Sequence, residues 1–135
     1  MKIYLTKGIV RFKDKYLLLK KVKDMVPENA GKWECSGGKI GKDEGPKKAL
    51  LREIKEETGL GCEIVKELPF LKMKNDNYES SCHVYLVQSP SDKVKLSPEH
   101  SEYIWIRPEE VKDMPLVLFA DLLLEYFNHA EKYLE

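Results

Sequence analysis

Cysteine is scarce in this chain, and the three present, Cys35, Cys62 and Cys82, are odd in number and far apart. That argues against a disulfide framework or a zinc knuckle and for buried, unreactive thiols in a reducing compartment. Long hydrophobic runs are missing: nothing approaches the ~20 apolar residues that cross a bilayer. The opening "MKIYLTKGIVRF" lacks the apolar stretch and small-residue cleavage site of a secretory leader. A cytoplasmic protein without membrane contact is the expectation. Charge of one sign is also lacking, since Lys plus Arg and Asp plus Glu both number 23. No global field draws the chain to nucleic acid or an anionic surface, so no stable nucleic-acid binding is expected, and electrostatic function must be local. Repeats, low-complexity tracts and interdomain linkers are absent. What remains is 135 residues, 42% apolar and 34% charged, expected to form a single domain over 1–135 with a core of its own.

"KIYLTKGIVRF" and "KYLLLKK" are rich in β-branched, aromatic and leucine residues around a polar Lys13-Asp14 turn, and read as two antiparallel strands. Residues 22–32 carry proline, asparagine and glycine and form a loop. "WECSGGKI" is a short extended piece. "CEIVKELPFLKM" and "CHVYLVQS" read as strands joined by the polar "KNDNYES", and "SEYIWI" as a last strand. A helix is expected over 46–58, with Gly45 as N-cap, Pro46 in the first turn and Gly59 as left-handed C-cap. Leu50, Leu51 and Ile54 supply its buried side. A second helix is expected after Pro115, with Leu116, Phe119, Ala120, Leu123, Phe127, Ala130 and Leu134 on one face and Leu122, Tyr126 and Tyr133 widening it. So broad a stripe suits packing on a sheet and leaves either a monomer or a homodimer open. Strands interleaved with two helices give an α/β (α+β) layered domain.

"REIKEETGL", Arg52 to Leu60, gathers three glutamates at the C-terminal end of the first helix, where the backbone dipole already presents negative charge. Like charges three or four residues apart cost a helix about 0.2–0.5 kcal/mol per pair. At ~100° per residue from Arg52, Glu56 falls near ~40°, Glu53 near ~100° and Glu57 near ~140°, beside Leu50 at ~160° and Ile54 at ~200°. The acids therefore adjoin the buried side, where they raise one another's proton affinity unless a cation sits among them. Oxygen donors without histidine or cysteine suit a hard divalent ion, Mg²⁺ or Mn²⁺, whose remaining ligands are water and phosphate. The plainer alternative is a solvated acidic face in which Arg52 pairs with Glu56 at i,i+4.

The context upstream decides between them. Gly38, Glu44, Arg52-Glu53, Ile54, Glu56-Glu57, Gly59 and Leu60 stand at the spacing of the Nudix hydrolase signature, and "WECSGG" and "EHSEYIWI" are similar to segments that flank it in that family. The resemblance spans about residues 3–112. It implies an α/β/α sandwich with a mixed sheet and the 38–60 loop–helix–loop as catalytic element. It also implies hydrolysis of a nucleoside diphosphate linked to another group, with divalent metal. Carried over by position, Glu53, Glu56 and Glu57, with the Gly37 or Gly38 carbonyl, resemble the metal ligands. Glu53 is also a candidate base, Arg52 would orient it, and Glu44 would bind metal-associated water or support the loop. Glu99 or Glu102 matches the region of a further ligand or base. Two departures bear on loop conformation: Ser36 stands where a proline is common, and Gly41 and Asp43 stand where an acid and then a glycine are common.

For substrate, the short chain resembles nucleoside triphosphate pyrophosphohydrolases of the MutT-like kind. Tyr78 resembles a marker of dinucleoside polyphosphate hydrolases, while Asp76 stands where ADP-ribose pyrophosphatases carry proline. A non-catalytic, nucleotide-sensing relative would be expected to have lost signature acids, and all are present. Lys39, Arg11 and Lys20 are candidate phosphate contacts. Trp33, Trp105 and Tyr4 are candidates for stacking on a base, with core packing the expectation for both tryptophans. His83, His100 and His129 show no ligand spacing and are expected to be structural or at the surface.

Overall fold

A computed structural model describes residues 1–24, 27–74, 76–116 and 120–135, without the side chains of 120–122. Seven strands and two helices occur among these residues: β1 (Lys2–Phe12), β2 (Lys15–Lys21), β3 (Trp33–Glu34), β4 (Ser36–Lys39), α1 (Pro46–Thr58), β5 (Glu63–Lys74), β6 (Glu79–Gln88), β7 (His100–Ile106) and α2 (Ala120–Leu134). The β1–β2 hairpin turns at Lys13, which takes a left-handed φ of 57°. Its strands pair only next to the turn, Arg11 with Tyr16 and Phe12 with Lys15, and then diverge. Beyond that point β1 pairs in parallel with β6 from Lys2–Glu79 to Arg11–Gln88, and antiparallel with β4 on its other side. β2 takes β7 and β3 as antiparallel partners. The result is one mixed, branched sheet whose edge strand β5 carries Pro69 at a break in register between Leu68 and Leu71, an edge site being where a residue without an N–H is tolerated.

Alternation along the central strands divides the core between the two faces. Ile9, Tyr16, Leu18, Val84, Leu86 and Ile106 meet Tyr126, Phe127 and Ala130 of α2, while Val10, Leu17, Leu19, Tyr85 and Val87 meet Leu50 and Ile54 of α1. The expected α1 bounds, Pro46 in its first turn and the left-handed Gly59 (φ 75°) are all found, and the Gly59 N–H reaches the Lys55 carbonyl at 2.9 Å. Leu51 is only half-buried. Cys35, Cys62 and Cys82 are free thiols; burial pushes Cys35 up to about 12 and Cys82 up to about 11, so neither offers a thiolate near neutral pH.

Several boundaries differ from the sequence reading. Leu116 does not begin the second helix: the Trp33 N–H is bonded to the Pro115 carbonyl at 2.9 Å and Leu116 bridges to Trp33, which holds this stretch extended. Phe119 and the side chains of Ala120 and Leu122 lie outside the described residues. Tyr133 and Leu134 are exposed instead of packed, with the Lys66 ammonium 4.6 Å from the Tyr133 ring centre. A 3-10 segment at Pro108–Asp113, to which the sequence reading gave no element, buries Val111. β6 begins at Glu79, inside the expected polar loop, because its first residues pair with the start of β1.

Phe127 is fully buried and stacks on Tyr16 at 4.6 Å. Phe127→Ala is expected to lower unfolding stability by about 3–5 kcal/mol. Tyr133→Ala should change it by about 0.5 kcal/mol or less. Urea denaturation of both variants checks the division of α2 into a packed centre and a free end.

Candidate active site

The burial of the three α1 acids follows the helical wheel. Glu56 is exposed, Glu53 is half-buried and Glu57 is only 4% exposed. The Oε1 atom of Glu57 accepts from the Ser36 hydroxyl at 2.7 Å and from the Gly37 N–H at 3.0 Å. Burial raises its proton affinity, while Lys7, Gly37 and Ser36 pull the other way. Glu53 rests against Gly38, where an added Cβ would lie 2.8 Å from its carboxyl carbon. Burial raises its proton affinity as well, opposed by Arg52 and reinforced by Glu56 and Glu99. The paired glycines therefore have separate duties. Gly37 has φ 142° and a Cβ there would sit 2.1 Å from the Thr6 carbonyl oxygen, whereas Gly38 leaves room for a carboxylate.

Arg52 ties loop to helix. It makes a two-point contact with Glu44, Nη2 to Oε1 at 2.6 Å and Nε to Oε2 at 3.1 Å, and its Nη1 reaches Glu53 and Glu56 at 3.2 Å each. These hydrogen bonds, with the Gly41 N–H, hold the Glu44 carboxyl below its ordinary range. Both readings of Arg52 are thus realised together, the orienting contact to Glu53 and the i,i+4 pair with Glu56.

A cavity of about 800 Å³ opens beside this helix; Glu53, Glu57, Glu99, Gly37, Gly38 and Lys39 line one part of it and Tyr78 another. Glu102 is not there: it pairs with Lys20 at 3.0 Å, largely exposed. Arg11 is not there either, since its place in β1, opposite Gln88 and Tyr16, is the far end from Thr6, which faces Gly38. Trp33 lines the cavity, while Trp105 is half-buried with its indole N–H on the Asp92 carbonyl at 2.8 Å. Tyr4 is exposed.

A second charged layer lies behind Glu57. Glu34, nearly buried, binds Lys7 at 2.9 Å, Lys21 at 3.2 Å and His100 Nε2 at 2.8 Å. Burial alone would raise its pKa; Lys7, His100 and Lys21 together hold it well below the usual carboxylate range. As a carboxylate it only accepts, so Nε2 carries the His100 proton. Nδ1 then faces Glu57 Oε2 at 4.0 Å without a hydrogen bond. Burial lowers the affinity of the Lys7 ammonium for its proton, but Glu34 and Glu57 more than reverse this. His100 was expected to be structural or at the surface and is buried against Glu34, whereas Lys7 and Glu34 escaped the sequence reading because the three come from different strands with no shared spacing. A lysine among β1's buried alternation was the one available signal.

The donor set fits a hard divalent ion. Glu53, Glu57, Glu99, Gly37 and Gly38 all line the cavity, and Gly38 leaves the space that the Glu53 carboxylate occupies. Among the described residues, no three acidic, histidine or cysteine side chains already converge on one point. Arg52 currently supplies the positive charge for Glu53 and Glu56, and an ion would compete with it.

The NUDIX domain family model matches residues 5–127. The chain is 30% identical over 100 residues to a CTP pyrophosphohydrolase of Escherichia coli K12, covering 74% of this chain and 73% of that one. It is also 30% identical over 109 residues to the nucleoside triphosphatase NudI of Escherichia coli O139:H28, covering 71% and 75%. Among solved structures, a MutT protein from Methanosarcina mazei Go1 superposes with a TM-score of 0.81 at 31% identity, over 97% of this chain and 96% of that one.

Glu34→Gln is expected to destabilise the protein by about 3–5 kcal/mol at pH 7, since it takes from the Lys7 ammonium its ion-pair partner, whereas Lys21 keeps Asp24. A carboxylate with a depressed folded pKa stabilises above its unfolded value of about 4.5 and loses that contribution as pH falls. The gap between wild type and Glu34→Gln should therefore narrow below about pH 4.5, as urea denaturation across a pH series would show. A constant gap would contradict the ion-paired assignment.

Proposed function

The chain belongs to the Nudix family and is a Nudix hydrolase, and on that premise we propose that it is a nucleoside triphosphate pyrophosphohydrolase working with Mg²⁺ or Mn²⁺. The observation that carries this reading is Glu53 set against Gly38 in a cavity that Glu57, Glu99 and the lysines Lys7, Lys21 and Lys39 also line. Similarity to a CTP pyrophosphohydrolase and to a nucleoside triphosphatase supports triphosphates as the substrate class. Tyr78, which lines the same cavity, favours dinucleoside polyphosphate hydrolysis as the second reading.

Glu53 and Glu57, which line the cavity, a glycine carbonyl, and Glu56, which would first have to leave Arg52, are the residues that would hold the ion, which supplies neutralisation of phosphate charge and a more acidic water. Glu53 takes the proton of the attacking water. Arg52 holds its Oε1, which leaves Oε2 for that proton, and burial has already raised the carboxylate's affinity for it. The water oxygen bonds to the α- or β-phosphorus as that atom's bond to the oxygen bridging the two breaks, so nucleoside monophosphate and pyrophosphate separate and the released bridging oxygen carries the negative charge away with the leaving group. Lys39, which lines the cavity, would hold phosphate oxygens. Glu57 keeps the helix end against β4 through Ser36 and Gly37, and Glu44 steadies Arg52.

Glu53→Gln and Glu57→Gln are each expected to lower turnover by about 10²–10⁴-fold while circular dichroism shows the fold retained. Chelation should stop turnover and readdition of Mg²⁺ or Mn²⁺ restore it. The deciding measurement follows product release from nucleoside triphosphates, ADP-ribose and dinucleoside polyphosphates with the ion present. Full activity in both variants, or turnover confined to substrates other than triphosphates, would contradict the reading.

A further inference from the structure

One buried side-chain oxygen of a cavity-lining residue has no hydrogen-bond partner among the described residues. Asn29 ends the 3-10 turn Pro27–Asn29, is 5% exposed and lines the cavity that holds Glu53 and Glu57. Its Oδ1 is buried and has no hydrogen-bond partner. The backbone around it is fixed: the Lys32 N–H reaches the Asn29 carbonyl at 3.1 Å, the Ala30 N–H reaches that of Pro27 at 3.2 Å, and the Gly31 N–H reaches that of Lys21 at 2.8 Å. The amide is thus presented by a closed turn, and a buried acceptor left unmade is costly enough to call for a donor.

The chemistry of the surroundings narrows that donor. Phosphate oxygens only accept, so they cannot serve an amide oxygen. A metal ion is disfavoured because Asp24 and Glu34, the acids closest in sequence to this turn among the cavity's lining residues, are already paired with Lys21. Sugar hydroxyls and base N–H groups remain. Trp33 and Leu116, bridged to each other, add flat and apolar surface to the cavity, which suits a base more than a sugar. The ring N–H of uracil lies between two carbonyl oxygens that would repel Oδ1, and that of guanine lies beside its exocyclic amine, whereas an exocyclic amine donates outward from the rim. We propose that Asn29 is a specificity residue whose Oδ1 accepts a hydrogen bond from the exocyclic amine of the substrate's nucleobase, so that amine-bearing bases are preferred. This rests on the nucleotide reading of the site.

The test compares kcat/KM, with Mg²⁺ present, within three pairs that differ by the amine alone: CTP and the triphosphate of pyrimidin-2-one riboside, ATP and purine riboside triphosphate, GTP and ITP. In the wild type at least one amine-bearing member should be favoured by about 10-fold. Asn29→Leu should bring that ratio to about one, while Asn29→Asp, which keeps an acceptor oxygen, should preserve it. Equal rates within all three pairs in the wild type overturn the inference without any variant, so it stays decidable even if Asn29→Leu does not fold. Survival of the preference in a folded Asn29→Leu overturns it too. If the variant instead changes the ratio of ribo- to deoxyribonucleotide, the acceptor serves a sugar hydroxyl; the inference then falls and the nucleotide reading stands. If the wild type neither turns over nor binds any of these nucleotides, both fall.

Discussion

Glu57 Oε1 receives the Ser36 hydroxyl and the Gly37 N–H, and through those two bonds the C-terminal end of α1 is fixed to β4. Because β4 lies beside β1 with Gly38 opposite Thr6 and Gly37 opposite Lys7, the helix is thereby registered against the centre of the sheet. A carboxylate in this position is opposed both by the helix dipole and by burial. Two donors on one oxygen and a nearby ammonium offset that cost, which is why an acid can stand where a leucine would be simpler. The three acids of the helix then divide by angle: Glu57 inward as the anchor, Glu53 at the cavity wall, Glu56 outward on Arg52.

Behind the anchor, charges alternate in a buried chain from Glu57 past His100 to Glu34 and on to Lys7 and Lys21. Lys7 does more than neutralise Glu34. Its ammonium also donates to the carbonyls of Cys35 at 3.2 Å and Gly37 at 3.5 Å, so one cation supports the carboxylate and the backbone on both sides of Ser36. A buried ion pair gives specificity only when its remaining hydrogen bonds are made. Here those bonds fall on β3 and β4, the short extended pieces least able to define their own position.

Short-range signals carried the α1 helix well, because Pro46, Gly59 and the apolar spacing of Leu50 and Ile54 are local. The burial order of Glu56, Glu53 and Glu57 was likewise available from 100° steps alone. Tertiary pairing explains most of what was missed. Leu116 is drawn out of the second helix by Trp33, and Ser80 is drawn into β6 by β1; neither partner is near in sequence. Arg11 and Glu102 have the right chemistry for phosphate or metal but occupy the wrong end or edge of a strand, which composition does not reveal. Conversely His100 was read as structural and Lys7 went unnoticed, yet both lie within electrostatic reach of Glu57, the anchor of α1.

The loop before α1 shows how a departure from the family pattern can leave the site intact. This loop must supply one left-handed residue and let Glu44 close onto the backbone. Where the resemblance leads one to expect an acid and then a glycine, the chain has Gly41 and Asp43. Asp43 takes the left-handed conformation itself, at φ 68°, a strain that aspartate tolerates better than most residues. Gly41 supplies the space instead: its N–H reaches Glu44 Oε1 at 2.7 Å, and a Cβ there would lie 2.6 Å from that oxygen. Glu44 still meets Arg52 at two points and Arg52 still reaches Glu53. What the chemistry requires of the loop is the placement of one guanidinium, and the exchanged pair of residues meets that requirement by trading duties.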